Sequence, residues 1–173
     1  MIIVFVGASG SGKTTLGSKL LGKENELVSF TTRKKRKGEI EGKDYYFIDK
    51  ETFVKKLNEN AIFEFTIYNG NYYGILYSEI EKETNKIKYA VLDFEGYKKL
   101  KQAFPEKVLG IYISVPKEVL YERMSQRGDS AVEILDRFKL YDKEIVVKES
   151  FEHIVENTGT VHEALEKIKK IIF

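Results

Sequence analysis

Residues Gly7-Ala8-Ser9-Gly10-Ser11-Gly12-Lys13-Thr14 fit the phosphate-loop pattern G-x-x-x-x-G-K-[ST], and no other stretch narrows the possible folds as much. The pattern has mechanical meaning only between a strand and a helix. Ile2-Ile3-Val4-Phe5-Val6 upstream is a continuous apolar run, expected as a strand buried on both faces. Thr14 to Leu21 downstream reads as a helix, with Leu16, Leu20 and Leu21 on an apolar side and Gly22 as its stop. The glycines let successive N–H groups turn inward as an anion nest at the positive end of the helix dipole. Lys13 is placed to reach the β- and γ-phosphates of a nucleoside triphosphate, and the Thr14 hydroxyl to help hold Mg²⁺. A ligand-free glycine turn needs neither three glycines nor a lysine at the helix N-terminus.

The 173 residues suit one compact domain, and 42% hydrophobic with 32% charged residues is the balance of a soluble globular chain. Lys and Arg number 29 against 27 Asp and Glu, so no overall charge drives the chain toward nucleic acid. Without cysteine there is no disulfide, thiolate metal site or cysteine nucleophile. No stretch has the length of a signal peptide or membrane span, and a cytoplasmic enzyme is the expectation.

Further along, Leu27 to Phe30 reads as a short strand and Asp49 to Leu57 as a short helix with Phe53 and Leu57 on one side. Two β-prone runs, Ile62 to Tyr68 and Asn71 to Tyr73, flank Asn69-Gly70, a hairpin signal. Ser78 and Glu81, Ser130 and Glu133, and Thr160 and Glu163 have capping-box spacing, each expected to open a helix. Tyr89 to Asp93, Leu109 to Val115 and Ile154-Val155 read as strands, and Lys117 to Arg127 as a helix. Strands alternating with helices predict an α/β fold, a parallel sheet covered on both faces, interrupted by an antiparallel insert. Asp93 ends a buried strand, at the edge where such sheets place their ligands. It is read as a Mg²⁺ ligand acting through water, the alternative being a helix N-cap.

Thr31-Thr32-Arg33-Lys34-Lys35-Arg36-Lys37-Gly38-Glu39, followed by Asp44-Tyr45-Tyr46-Phe47, is the second decisive stretch. By itself a run of five cations is usually a solvated face. Together with the phosphate loop, Glu64, Gly70-Asn71-Tyr72-Tyr73-Gly74 and Val155-Glu156-Asn157 in that order, it resembles the guanylate kinases over nearly the full length. The resemblance implies a three-layer P-loop kinase core with a parallel sheet (residues 1–32, 78–120 and 141–173). To this it adds a small mixed β-rich monophosphate-binding insert (33–77) and a helical lid (121–140). It implies transfer of the γ-phosphoryl of ATP to GMP, with Mg²⁺ held by Thr14 and Asp93.

By the same resemblance, Gly7, Ala8, Ser9, Gly10, Ser11, Gly12, Lys13, Thr14 and Thr15 cradle ATP, and Asn157 contacts the adenine or ends a strand. Ser29, Arg33, Arg36, Tyr45 and Tyr73 hold the acceptor phosphate, which suits guanidinium forks and phenol hydroxyls on chemical grounds too. Glu64 accepts from guanine N1 and N2. Lys13, Arg36, Arg123, Arg127, Arg137 and Asp93 form the catalytic set, the lid and core arginines closing over the phosphates. Ile75 and Glu95 stand at the remaining base-contact positions. There the family carries Ser or Thr and a second Asp, so guanine selectivity is the least determined property. A related kinase for another acceptor, or a non-catalytic interaction module of the same fold, are the competing readings.

Overall fold

The computed structural model describes residues 1–68, 70–82 and 86–173. In chain order, β1 (Ile2–Val6) leads through the glycine loop to α1 (Lys13–Leu21), then β2 (Phe30–Thr31), β3 (Tyr46–Phe47) and α2 (Lys50–Asn58). The hairpin strands β4 (Ile62–Tyr68) and β5 (Asn71–Leu76) run into α3 (Tyr77–Glu81). There follow β6 (Lys88–Val91), α4 (Phe94–Ala103), β7 (Val108–Ser114), α5 (Lys117–Gln126), α6 (Ala131–Val146), β8 (His153–Glu156) and α7 (Val161–Ile172).

Two sheets result. In the first, all pairings are parallel and the order is β6-β1-β7-β8. The two-residue alternation of β1 builds the three layers directly. Ile2, Val4 and Val6 pack on one side with Leu100 of α4, while Ile3 and Phe5 pack on the other with Leu16 of α1 and Ile168 of α7. Because the strands are parallel, their carboxyl ends share one edge, and the phosphate loop, Asp93 and Asn157 all follow from it. The second sheet, ordered β3-β2-β5-β4, has its own small core of Phe30, Phe53 and Ile62. Phe53 stacks on Tyr72 at 4.1 Å between centroids.

Three local expectations are corrected. Leu27 to Phe30 is not one strand. The Leu27 amide bonds the Tyr89 carbonyl of the first sheet, whereas Phe30 and Thr31 pair with β5 and β3 of the second. Four apolar-leaning residues thus span two sheets. No capping box forms at Ser78, because the cap falls two residues earlier, at Leu76, where α3 starts directly off β5. Its Glu79 is buried and accepts from the Tyr46 hydroxyl at 2.9 Å. In α2 only Phe53 is buried, and Leu57 stays exposed. The other two capping boxes form, at Ser130 with Glu133 and at Thr160 with Glu163. The hairpin forms with β4 and β5 antiparallel; Asn69 of its turn lies outside the described residues.

Candidate active site

The glycine loop is built by close approach. Gly7 has φ +142°, and a Cβ there would lie 2.4 Å from the Ile113 carbonyl oxygen, so only glycine lets the loop leave β1 against β7. Gly12, at φ +92°, forms the left-handed step into α1. Lys13 folds back over the loop, its Nζ donating to the carbonyls of Gly7 at 2.6 Å and Ala8 at 2.8 Å. The Asn157 amide, at the end of β8, donates to the Ser11 carbonyl at 2.8 Å. Its Oδ1 and the Ser11 hydroxyl are buried with no hydrogen-bond partner among the described residues. Asn157 therefore braces the loop, a contact its place in the sequence did not announce.

A cavity of about 580 Å³ at this loop is lined by Lys13, Thr14 and Thr15 together with Arg123, Arg127 and Asn157. That size is within the range of small-molecule sites. Arg123 donates to the Asn157 backbone carbonyl at 2.8 Å, and Arg127 is paired with Asp129. Arg137, on α6, donates to the Ser9 hydroxyl at 2.6 Å. All three C-terminal arginines thus reach the loop or its cavity wall, each held by a polar partner.

A second, smaller cavity of about 110 Å³ is lined by Ser29, Tyr45, Glu64, Thr66, Tyr73 and Asp93 among others, and Val91 is common to both cavities. They meet at the carboxyl end of β6, where a group transferred between two ligands would have to pass. Glu64 is 7% exposed. Burial, with the Asp93 carboxylate adding repulsion and Lys99 opposing both, pushes its pKa up to about 7. The Lys99 ammonium stands 3.9 Å away. Asp93 uses Oδ1 to cap α4, accepting from the Gly96 amide at 2.8 Å, so the N-cap geometry is present.

Arg33 lies beside this cavity, its guanidinium 5.6 Å from the centre of the Tyr45 ring. Glu39 grips it through two bonds of 2.6 and 3.1 Å and also accepts from the Arg36 amide at 2.6 Å. This fork holds the Arg33 pKa above its ordinary value and the Glu39 carboxyl below its own. Glu39, which has no assigned role in the sequence reading, is the residue that orients Arg33. Its signal was present as the acid closing the Thr-Thr-Arg stretch. The Arg36 side chain is exposed.

Of the acceptor-site candidates, Arg33, Arg36, Ile75 and Glu95 are not among the residues that line the small cavity. Ile75 is wholly buried, directly across the strands from Glu64. Glu95 is exposed on α4 and pairs with Lys98 at 3.4 Å. Thr66, not singled out by sequence reasoning, lines the cavity instead.

Hard oxygen donors fit a magnesium ion at this junction. Thr14 offers a hydroxyl in the loop cavity and Asp93 a carboxylate in the adjoining one. No cluster of three or more acidic or histidine ligands exists among the described residues. That agrees with an ion that keeps several waters and takes its remaining ligands from substrate phosphates.

The sequence pattern of the family described as guanylate kinase matches residues 1–173. Guanylate kinase of Clostridium tetani is 38% identical over 177 residues, covering 99% of this chain and 85% of that protein. The guanylate kinase of Prochlorococcus marinus is 36% identical, over 99% of this chain and 96% of that protein. The crystal structure of guanylate kinase from Anaplasma phagocytophilum superposes with a TM-score of 0.77 at 30% identity, covering 99% of this chain and 83% of that one.

Proposed function

The chain belongs to the guanylate kinase family, and from that premise we propose how its residues divide the work. The protein is an ATP-dependent kinase that phosphorylates GMP, giving ADP and GDP. The observation that best supports the division of labour is the pair of cavities meeting at Val91, one walled by the phosphate loop and the other holding a buried carboxylate.

In this reading the triphosphate lies in the larger cavity. Backbone N–H groups of Gly7 to Thr14, together with Thr15, cradle its phosphates. The Lys13 ammonium exchanges the carbonyls of Gly7 and Ala8 for phosphate oxygens, losing little because both sets of partners are oxygen acceptors. Asn157 keeps the loop in shape and borders the adenine end. Mg²⁺ would be held by the Thr14 hydroxyl and, through water, by Asp93, and would supply neutralisation of charge on the phosphoryl oxygens.

The acceptor occupies the smaller cavity. Arg33, Arg36, Tyr45, Tyr73 and Ser29 hold its phosphate, and Glu64 reads the guanine edge. The attacking oxygen of GMP is already anionic, so the protein's task is positioning in line and neutralising spreading charge. Arg123, Arg127 and Arg137 provide that charge from the lid side. Residues 33–77 and 121–140 act as the two moving parts over a core of residues 1–32, 78–120 and 141–173, except that β2 (Phe30–Thr31), paired with β3 and β5, moves with the insert. A cytoplasmic location goes with these two substrates.

The test is a coupled ADP-release assay with ATP against GMP, dGMP, AMP and UMP, repeated with Lys13→Ala. Wild type prefers GMP, and the variant folds normally but loses on the order of 100-fold or more of turnover, the scale of removing one preorganised cation or donor from a transition state. Near-normal turnover by Lys13→Ala would remove the phosphate-loop assignment.

A further inference from the structure

Guanine presents to the small cavity two kinds of polar atom. Its N1–H and N2–H₂ groups suit the Glu64 carboxylate, which in its ionised form only accepts. Its O6 is an acceptor and needs a donor that Glu64 cannot be. The residue directly across the strands from Glu64 is Ile75, which is wholly buried and carries no hydroxyl. The position opposite the carboxylate is therefore silent toward O6.

We infer that Thr66 is the specificity-determining residue that donates its Oγ1 hydroxyl to O6 of the acceptor base, an inference that rests on GMP occupying the small cavity as proposed above. Thr66 is two residues beyond Glu64 on β4, so both side chains stand on one face of the strand, roughly 7 Å apart at Cα. Both line the same cavity. Thr66 also lies directly opposite Tyr73 on β5, and the Tyr73 and Tyr45 rings meet edge to face at 6.0 Å. Thr66 thus stands between the carboxylate and the phenol-guanidinium cluster.

That placement selects which edge of the base it meets. In a 5′-nucleotide with the base anti, the N7–O6 edge is turned toward the 5′-phosphate. With the phosphate among Arg33, Tyr45 and Tyr73 and the N1–N2 edge on Glu64, the O6 side runs along β4 past residue 66. The other small hydroxyl in the cavity, Ser29, precedes β2. It is separated from β4 by β5, about 10 Å in the pairing direction, and adjoins the phosphate end through its neighbour Phe30 paired with Gly74. Thr66 is the hydroxyl on Glu64's own strand.

The experiment measures KM and kcat of wild type, Thr66→Val and Thr66→Ser with GMP and with 6-thio-GMP, whose sulfur is a poorer hydrogen-bond acceptor. Residue 66 is solvent-exposed in a strand and valine is its isostere, so the variant folds. Thr66→Val raises the KM for GMP about three- to tenfold, the loss of one hydrogen bond, with kcat and the KM for ATP within about twofold of wild type. It also loses the wild-type preference for GMP over 6-thio-GMP, whereas Thr66→Ser keeps both the affinity and the preference. Equal impairment of valine and serine variants, an unchanged KM for GMP, or a preference that survives in Thr66→Val overturns the assignment. A wild type without GMP turnover would instead remove the acceptor reading itself, a result separate from any difference between variants.

Discussion

At the scale of single residues, the Glu64 carboxyl carries a pH dependence that follows from its burial. It must be ionised to accept from guanine N1 and N2, and in the free enzyme its pKa is about 7. About a tenth of the sites are ionised at pH 6 and nine-tenths at pH 8, so kcat/KM for GMP rises roughly tenfold across that interval. A second ionisation of the GMP phosphate at about pH 6 steepens the acid limb. Glu64→Gln should abolish the step centred on pH 7 and leave only the shallower limb of the phosphate ionisation near pH 6, and a pH profile identical in both enzymes would refute the assignment. The effect on stability has the opposite sign. The folded state binds the Glu64 proton more tightly than the unfolded chain, whose carboxyl has the ordinary value of 4.5. That contribution is present in full below pH 4.5 and lost as pH rises through 7. The same desolvation that poises the group for an incoming donor edge makes the free enzyme slightly frailer where it works best.

Among the elements, α1 shows how packing overrides propensity. Gly17 sits mid-helix, where alanine ordinarily gains about 1 kcal/mol. A Cβ at that position, however, would stand 2.5 Å from two ring carbons of Tyr89. Tyr89 is fully buried in β6, and its hydroxyl donates to Glu26 at 2.8 Å, so the ring cannot swing aside without breaking that bond. Overpacking of this kind costs about 1–3 kcal/mol. Gly17→Ala should therefore lower Tm, by about 2–4 °C per kcal/mol of net loss for a chain of this size. A raised Tm in a thermal unfolding scan would mean propensity wins and the contact yields. The glycine lets the helix that begins at Lys13 lie close on the sheet, which keeps the phosphate loop against the strand ends.

For the whole molecule, the two sheets and the arginine-bearing helices have separate cores. Among the described residues, Val91 is the one that lines both cavities. On the proposed reading, binding both substrates at once should draw the 33–77 insert and the 121–140 segment toward the sheet edge, because their cations would be attracted to phosphates held in the two cavities. Small-angle scattering of the enzyme saturated with a bisubstrate analogue should give a smaller radius of gyration than the free enzyme. Superimposable profiles would argue for a rigid scaffold.

Much of this architecture could be read from the chain directly. An apolar run, a glycine loop with Lys13 and a helix occupy consecutive residues, and a parallel sheet follows from strands that alternate with helices. Local patterns of this sort are encoded by neighbours in sequence, as were two of the three capping boxes. What the sequence could not assign were contacts between residues far apart along it. Asn157 bracing Ser11 and the division of Leu27 and Phe30 between two sheets both depend on where other segments arrive. Ser78 lost its cap because β5 runs straight into α3. Strand register decided the rest. Pairing Glu64 with Ile75 and Tyr73 with Thr66 buries one candidate and brings an unnoticed hydroxyl to the cavity. Spacing along one strand fixes which of its own residues share a face, but which residue of another strand stands opposite is settled only by the pairing itself.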